Sequence, residues 1–179
     1  MIDGSQCAEA PPFAGGVFYQ DAGIELEVLP WKTITSIAPF RGRTDDVSEA
    51  LQAAIGVGLP GPNGARRDSE TEIVWSQIGQ WFLFGPPVEV PFAAMTDQSD
   101  GWCGVAVKGA RATTVLARLC PLDLRAFAEG QVARTEVAHR MGLLIGRDDG
   151  VEIYVMRSLF QDFLHHLKVA AEDSAAISS

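Results

Sequence analysis

The chain has 179 residues, 47% of them hydrophobic and 21% charged, which suits a globular unit that buries its own core without a disulfide or a metal. Lys and Arg number 14 against 23 Asp and Glu, and the net charge of −9 argues against nucleic acid or an anionic membrane surface as a partner. Three widely spaced cysteines, Cys7, Cys103 and Cys120, form no Cys-x-x-Cys pair and argue against a disulfide framework or a structural zinc site.

Residues 1–22 read as a weakly ordered amino-terminal segment, because Pro11-Pro12 and Gly15-Gly16 interrupt any period. Met1 to Ser5 carries no basic stretch followed by an apolar one, and no apolar run approaches the roughly 18 residues of a membrane helix, so a cytoplasmic address is expected. Residues 23–98 form a first α+β half. Ile24-Glu25-Leu26-Glu27-Val28 alternates as a half-buried strand does, and Trp31 to Phe40 holds a less regular one. Thr44 or Asp45 is placed to cap a helix whose stripe is Val47, Ala50, Leu51, Ala54 and Ile55, and Gly56 and Gly58 stop it. Leu59 to Asp68 reads as a loop, Thr71 to Ile78 and Trp81 to Phe84 as a hairpin turning at Gly79-Gln80, and residues 91 to 101 as a loop or short helix.

Residues 99–172 form a second, ferredoxin-like half. Trp102 to Lys108 is a strand, Ala110 to Leu119 a helix ended by Pro121, and Gln131 to His139 a strand with Ala133, Thr135, Val137 and His139 on one face. Met141 to Arg147 and Val151 to Met156 are strands around Asp148-Asp149-Gly150, with glycine at a position expected to need positive φ. Ser158 caps a last helix with Leu159, Phe160, Phe163, Leu164 and Leu167 as its stripe, and residues 173–179 read as a flexible tail. Antiparallel or mixed sheets covered by helices make the class α+β.

The search for chemistry leaves no catalytic, cofactor-binding or metal-binding residue. Gly56-Val57-Gly58-Leu59-Pro60-Gly61 matches a dinucleotide fingerprint in letters only, since it follows a helix and enters a proline-rich loop. His139 reads as a buried strand histidine. His165 and His166 are helix neighbours pointing about 100° apart, too divergent to grip one metal. Cys120 at a helix carboxyl end is a poor nucleophile, and Asp123 is placed to cap or turn the chain. Asp45-Asp46 and Asp148-Asp149 sit where caps and turns need them.

Cys120-Pro121-Leu122-Asp123-Leu124, then Arg125-Ala126-Phe127 and Gly130-Gln131-Val132-Ala133-Arg134-Thr135, resembles the signature stretch of the gamma subunit of heterotetrameric sarcosine oxidase. Leu59-Pro60, Trp81, Ser99-Asp100-Gly101, Lys108-Gly109-Ala110-Arg111-Ala112, Arg147-Asp148-Asp149, Glu152 and Arg157-Ser158 follow in the family's order. The resemblance spans about residues 42 to 168. It implies two interlocked halves similar to the amino-terminal part of the glycine cleavage T-protein, an aminomethyltransferase. It also implies a cofactor-free, non-catalytic subunit whose alpha-, beta- and delta-type partners carry FAD, FMN, NAD and zinc. Such a complex oxidatively demethylates sarcosine and passes the one-carbon unit to tetrahydrofolate. The alternative from the same resemblance is a stand-alone folate-binding or aminomethyl-transferring protein. Trp31, Phe40, Trp102 and Phe127, near loops or strand ends, are candidate interface residues because aromatics enrich interface cores.

Overall fold

The computed structural model describes residues 13–177, so Cys7 and the expectations about the first twelve residues lie outside it. In chain order the elements are β1 (Gly16–Asp21), β2 (Ile24–Val28), β3 (Ile34–Pro39), α1 (Thr44–Ile55), β4 (Ala65–Arg67), β5 (Glu72–Gln77), β6 (Gln80–Phe84) and β7 (Ala93–Asp97). There follow β8 (Trp102–Lys108), α2 (Ala112–Leu116), β9 (Val132–Val137), β10 (Arg140–Arg147), β11 (Gly150–Met156) and α3 (Arg157–Ile177). The strands build a six-stranded sheet, β1-β2-β8-β11-β10-β9, and a five-stranded sheet, β4-β5-β6-β3-β7. All the named pairings are antiparallel.

Three apolar layers follow from strand alternation. One face of the larger sheet sends Leu26, Val105, Val107, Ile153 and Val155 against α2 and α3, where Phe160, Phe163 and Leu167 are fully buried. Its other face sends Leu143, Ile145 and Tyr154 toward Val74, Phe82 and Phe84 of the smaller sheet. The far face of the smaller sheet sends Ile37, Ile73 and Leu83 against Val47 and Leu51 of α1. Removing one large side chain from such a layer costs about 2–5 kcal/mol.

The class is α+β with two interlocked halves, as expected. The interlocking follows the path of the chain: β2, expected as the first strand of the first half, pairs with β8 in the sheet of the second half, and β1 pairs with β2 at its edge. Glu25 and Glu27 stand in register with Lys108 and Ala106, and both carboxylates meet Lys108 Nζ, at 3.4 and 2.5 Å. With β9 set aside as an added edge strand beside β10, the elements β8, α2, β10, β11 and α3, closed by β2 beside β8, make a βαββαβ layout whose last strand comes from the amino-terminal side.

Several expectations need correction. Gly16–Asp21 is a strand, not loose chain, because Tyr19 to Asp21 pair with Leu26 to Ile24 around Gly23 at φ 83°. Ala93–Asp97 is a strand on β3 rather than a loop or helix, and Ala65–Arg67 pairs with β5. Arg43, not Thr44 or Asp45, caps α1, without a side-chain bond, and Ala54 is exposed. His139 is not buried: Ala138 and His139 form the β9–β10 turn at φ 50° and 64°, which throws the imidazole into solvent. Gly150 does not take a positive φ; its need for glycine is steric, since a Cβ there would stand 2.0 Å from the Val107 carbonyl oxygen. The last helix runs on through Ile177 rather than fraying at 173, with Ala170, Ala171 and Ser174 buried.

Candidate functional site

The polar centre of the molecule lies between the sheets. On β10 the residues Leu143, Ile145 and Arg147 share one face, and on β11 Glu152 and Tyr154 share it too. Glu72 is two residues from Val74 on the facing side of β5, and Lys32 is two from Ile34. Alternation therefore converges five polar residues at the end of an apolar layer.

Arg147 donates to both oxygens of Glu72, at 2.6 and 2.7 Å, and to Glu152 Oε2 at 2.8 Å. The Tyr154 hydroxyl donates to the same Glu152 oxygen at 3.2 Å and accepts from Lys32 Nζ at 3.4 Å. The side chains of Arg147, Glu72 and Glu152 are 12%, 12% and 15% exposed. Burial opposes the charge on Arg147, but the hydrogen bonds and fields of the two glutamates outweigh it and raise its pKa. Burial likewise opposes the Glu152 carboxylate, yet Arg147 and Lys32 hold its pKa below the ordinary range. Burial, then the negative field of Glu152 and Glu72, pushes the Tyr154 phenol well above its usual value.

Two cations thus face two carboxylates, and a neutral phenol completes the network. Each charge already has its counterpart, so what the cluster does chemically is join β5 of one sheet to β10 and β11 of the other. Its outer side opens on a cleft of about 310 Å³, reached past Arg67, Glu129, Asp148 and Asp149.

The signature stretch lies elsewhere. Cys120 and Leu124 are buried under the helical layer, while Pro121 and Asp123 are exposed. Burial raises the Cys120 thiol, more than the Leu122 amide that points to it lowers it; burial also raises Cys103. The helix-end field invoked from sequence is not the leading cause. Asp123 caps the short 3-10 turn Leu124–Ala126 by accepting from the Arg125 amide at 3.1 Å, and the Arg125 side chain holds its carboxyl down at about 2. Along this stretch runs an open cleft of about 560 Å³ that includes Thr113, Cys120 and Asp123.

The four aromatic candidates separate. Trp31 and Phe40 are 48% and 55% exposed. Trp102 is half-buried, edge-on to Phe82 at 5.4 Å with the Arg134 guanidinium 5.4 Å from its ring. Phe127 packs against the helical layer. Trp31 and Trp102 line one small pocket with Leu29 and Tyr154, and no residue of the signature stretch lines it.

Gly56 is the left-handed cap of α1 and the loop after it is pinned by Trp81 Nε1 donating to the Pro60 carbonyl at 2.9 Å, so the glycine motif works as a stop and a loop. His165 is exposed and His166 half-buried, their rings 5.8 Å apart and nearly perpendicular. Among the described residues no group of three His, Cys, Asp or Glu side chains is close enough to hold a metal, and no helix is long and apolar enough to cross a membrane.

Sequence reasoning missed Arg111 as a linker. It bonds Asp21, the Ala22 carbonyl and the Ala171 carbonyl, tying the β1–β2 turn to α3. It also missed the inter-sheet cluster, whose members are up to 122 residues apart in sequence.

Among solved structures the chain is similar to a chain of heterotetrameric sarcosine oxidase from Corynebacterium sp. U-96 in complex with pyrrole 2-carboxylate. The TM-score is 0.74, with 24% sequence identity over 84% of this chain and 84% of that one. The likeness shows a shared fold and agrees with the fold that the signature stretch implied. No protein-family profile and no curated protein matches the sequence.

Proposed function

We propose that this chain is a non-catalytic, gamma-type subunit of a flavin-dependent, heterotetrameric sarcosine oxidase complex, with a structural and assembly role. The observation that carries the reading is the shared fold over 84% of both chains. The ordered motif set, with Cys120 and Leu124 as core residues under the helices, supports it. The inter-sheet cluster supports it too, because its charges are spent on one another. In this reading alpha-, beta- and delta-type subunits hold FAD, FMN, NAD, zinc and tetrahydrofolate, and the assembly works in the cytoplasm.

The test is co-expression with larger flavoprotein subunits of a sarcosine oxidase complex. The chain alone is expected to be colourless and inactive, and to co-purify with the larger chains when they are present. Stoichiometric flavin on the isolated chain, or the absence of any larger partner, overturns the reading. Saturable binding of tetrahydrofolate to the isolated chain favours instead a stand-alone protein of the T-protein type.

A further inference from the structure

At the end away from Arg147, the inter-sheet face of the larger sheet runs past the smaller one. Trp102 stands in register with Met156, and Met141 with Glu136. The β10–β11 ladder, paired through Gly142 and Val155, sets Met141 beside Met156 one step on. Directly opposed residues of a ladder share a face, so Trp102, Met156, Met141 and Glu136 make one row across four strands. The next row inward holds Tyr154, Leu143 and Arg134, and there Phe82 and Phe84 of the smaller sheet begin to cover the larger. The middle of the outer row is bare: Met141 and Met156 are 55% and 52% exposed. Bare row and sheet end together form a step.

Arg134 reaches from the inner row toward this step. Its guanidinium lies 5.4 Å from the Trp102 ring and 3.5 Å from the Ser76 carbonyl oxygen, at the limit of a hydrogen bond. Arg147, Arg111 and Arg67 each meet a carboxylate. Among the described residues no carboxylate lies within ion-pair reach of Arg134, and burial lowers its pKa with no acid's field to oppose it. Glu136, two residues along on the same face, turns to His139 at 3.2 Å instead. A half-buried cation placed this way gives up hydration with no charge to replace it. Beside it stand a tryptophan and two methionines, residue types that with arginine enrich interface cores.

The step decides the occupant. A second copy facing the row about a two-fold axis along the strands would drive the two five-stranded sheets into one space. With the axis along the row, Glu136 meets Glu136 and each Arg134 still lacks an acid, between chains that each carry −9. A short segment of another chain enters the step without either conflict. Apolar side chains on it cover Met141 and Met156, and an Asp or Glu between them gives Arg134 its counterion.

We propose that the step beside Trp102, Met156 and Met141 docks an apolar segment of a partner polypeptide, whose single carboxylate is received by Arg134. This extends the subunit reading by naming a surface on which a partner sits.

The probe is the blocked peptide Ser-Leu-Glu-Phe-Leu-Ser, added to the full chain with isotope-labelled methionine methyls and read by NMR. Saturable shifts of Met141 and Met156 are expected, with Met95 of β7 unmoved. The peptide with Gln for Glu should bind about tenfold more weakly. Arg134→Met should remove that preference without lowering the melting temperature, because no internal ion pair is lost. Met156→Asp, at an exposed position, should weaken binding several-fold and also keep the melting temperature. Unmoved Met141 and Met156 methyls at the peptide's solubility limit overturn the proposal, and so does equal affinity for the Glu and Gln peptides. Self-association that shifts the same methyls overturns it, as does their shift on removal of residues 1–12, which would make the chain its own occupant. A reconstituted complex with larger flavoprotein subunits that leaves Met141 and Met156 as open to peroxide oxidation as in the isolated chain overturns this surface while the subunit reading stands. Glu-dependent peptide binding in a chain that finds no flavoprotein partner supports the surface and overturns the subunit reading.

Discussion

Arg147 grips Glu72 through two parallel hydrogen bonds, 2.6 and 2.7 Å long, and this one contact joins β10 of the six-stranded sheet to β5 of the five-stranded sheet. Both side chains are nearly out of water, so removing one partner leaves a stranded charge. Arg147→Met should therefore lower unfolding stability by about 3–5 kcal/mol, while the double change Arg147→Met with Glu72→Leu should cost markedly less. Urea unfolding of the two single variants and the double measures the coupling. Additive losses would mean that the pair does not join the sheets energetically.

The same cluster makes stability depend on pH from both sides. The Glu152 carboxyl lies below its ordinary range in the fold, since Arg147 and Lys32 overcome the effect of burial. A depressed acid stabilises above the unfolded value of about 4.3 and loses that contribution as pH falls through the folded value. The Tyr154 phenol lies above its ordinary range, chiefly through burial. A raised phenol stabilises below the unfolded value of about 10 and loses that contribution as pH rises through the folded value. The contribution of this cluster should be flat between about pH 5 and 9 and fall on each side. Urea midpoints across pH, with Glu152→Gln flattening the acid limb and Tyr154→Phe the alkaline one, check both signs.

The strands β8, β10 and β11 and the helix α3 were readable because each has an apolar period that burial enforces. Val105, Val107, Ile153, Val155, Phe160 and Phe163 are all buried. The edge strands β1 and β7 were not readable, because an edge with one neighbour buries little: Val17, Ala94 and Thr96 are exposed, and even the inward residues Ala93 and Met95 are only half-buried. His139 misled because a histidine continuing an alternation looks like strand, while the turn after Val137 needed two residues at positive φ. The charge cluster was invisible for another reason. Glu72 and Arg147 are 75 residues apart, and only the crossing of two sheets brings them together. Cys120 and Leu124 show the reverse case: a motif stood out in sequence and proved to be core packing.

Gly150 gives a direct test of why that glycine is there. Its Cβ position meets the Val107 carbonyl oxygen at 2.0 Å, across the β8–β11 ladder. Gly150→Ala should cost about 1–3 kcal/mol or more through backbone displacement. Asp149→Gly in the adjoining turn should change stability by much less. Equal losses from the two would return the explanation to the turn.

Exposure separates the aromatic candidates into two classes of outcome. Phe127→Ser, in contact with the helical layer, should lower the unfolding free energy by about 1–3 kcal/mol whether or not a partner is present. Trp31→Ser and Phe40→Ser, at 48% and 55% exposure, should shift it by no more than about 0.5 kcal/mol. Any weakening of assembly with larger subunits in those two variants then reports contact rather than folding. A large stability loss from Phe40→Ser would place it in the core instead.

The thiols offer a check on the packing of the signature stretch. Cys120 is buried and Cys103 half-buried, and burial raises both thiols, so the thiolate needed for attack is scarce at neutral pH. In a Cys7→Ser variant, a disulfide reagent at pH 7.5 should modify neither cysteine quickly while the chain is folded, and both once it is unfolded in guanidinium. Raising the pH should speed the native reaction of Cys103 before that of Cys120, because Cys120 is only 6% exposed, in one cluster with Leu122 and Leu124, while Cys103 is half-buried. Fast native modification of Cys120 would show that the loop from Pro121 to Asp123 opens, and that the stretch is a mobile surface rather than a floor for the helices.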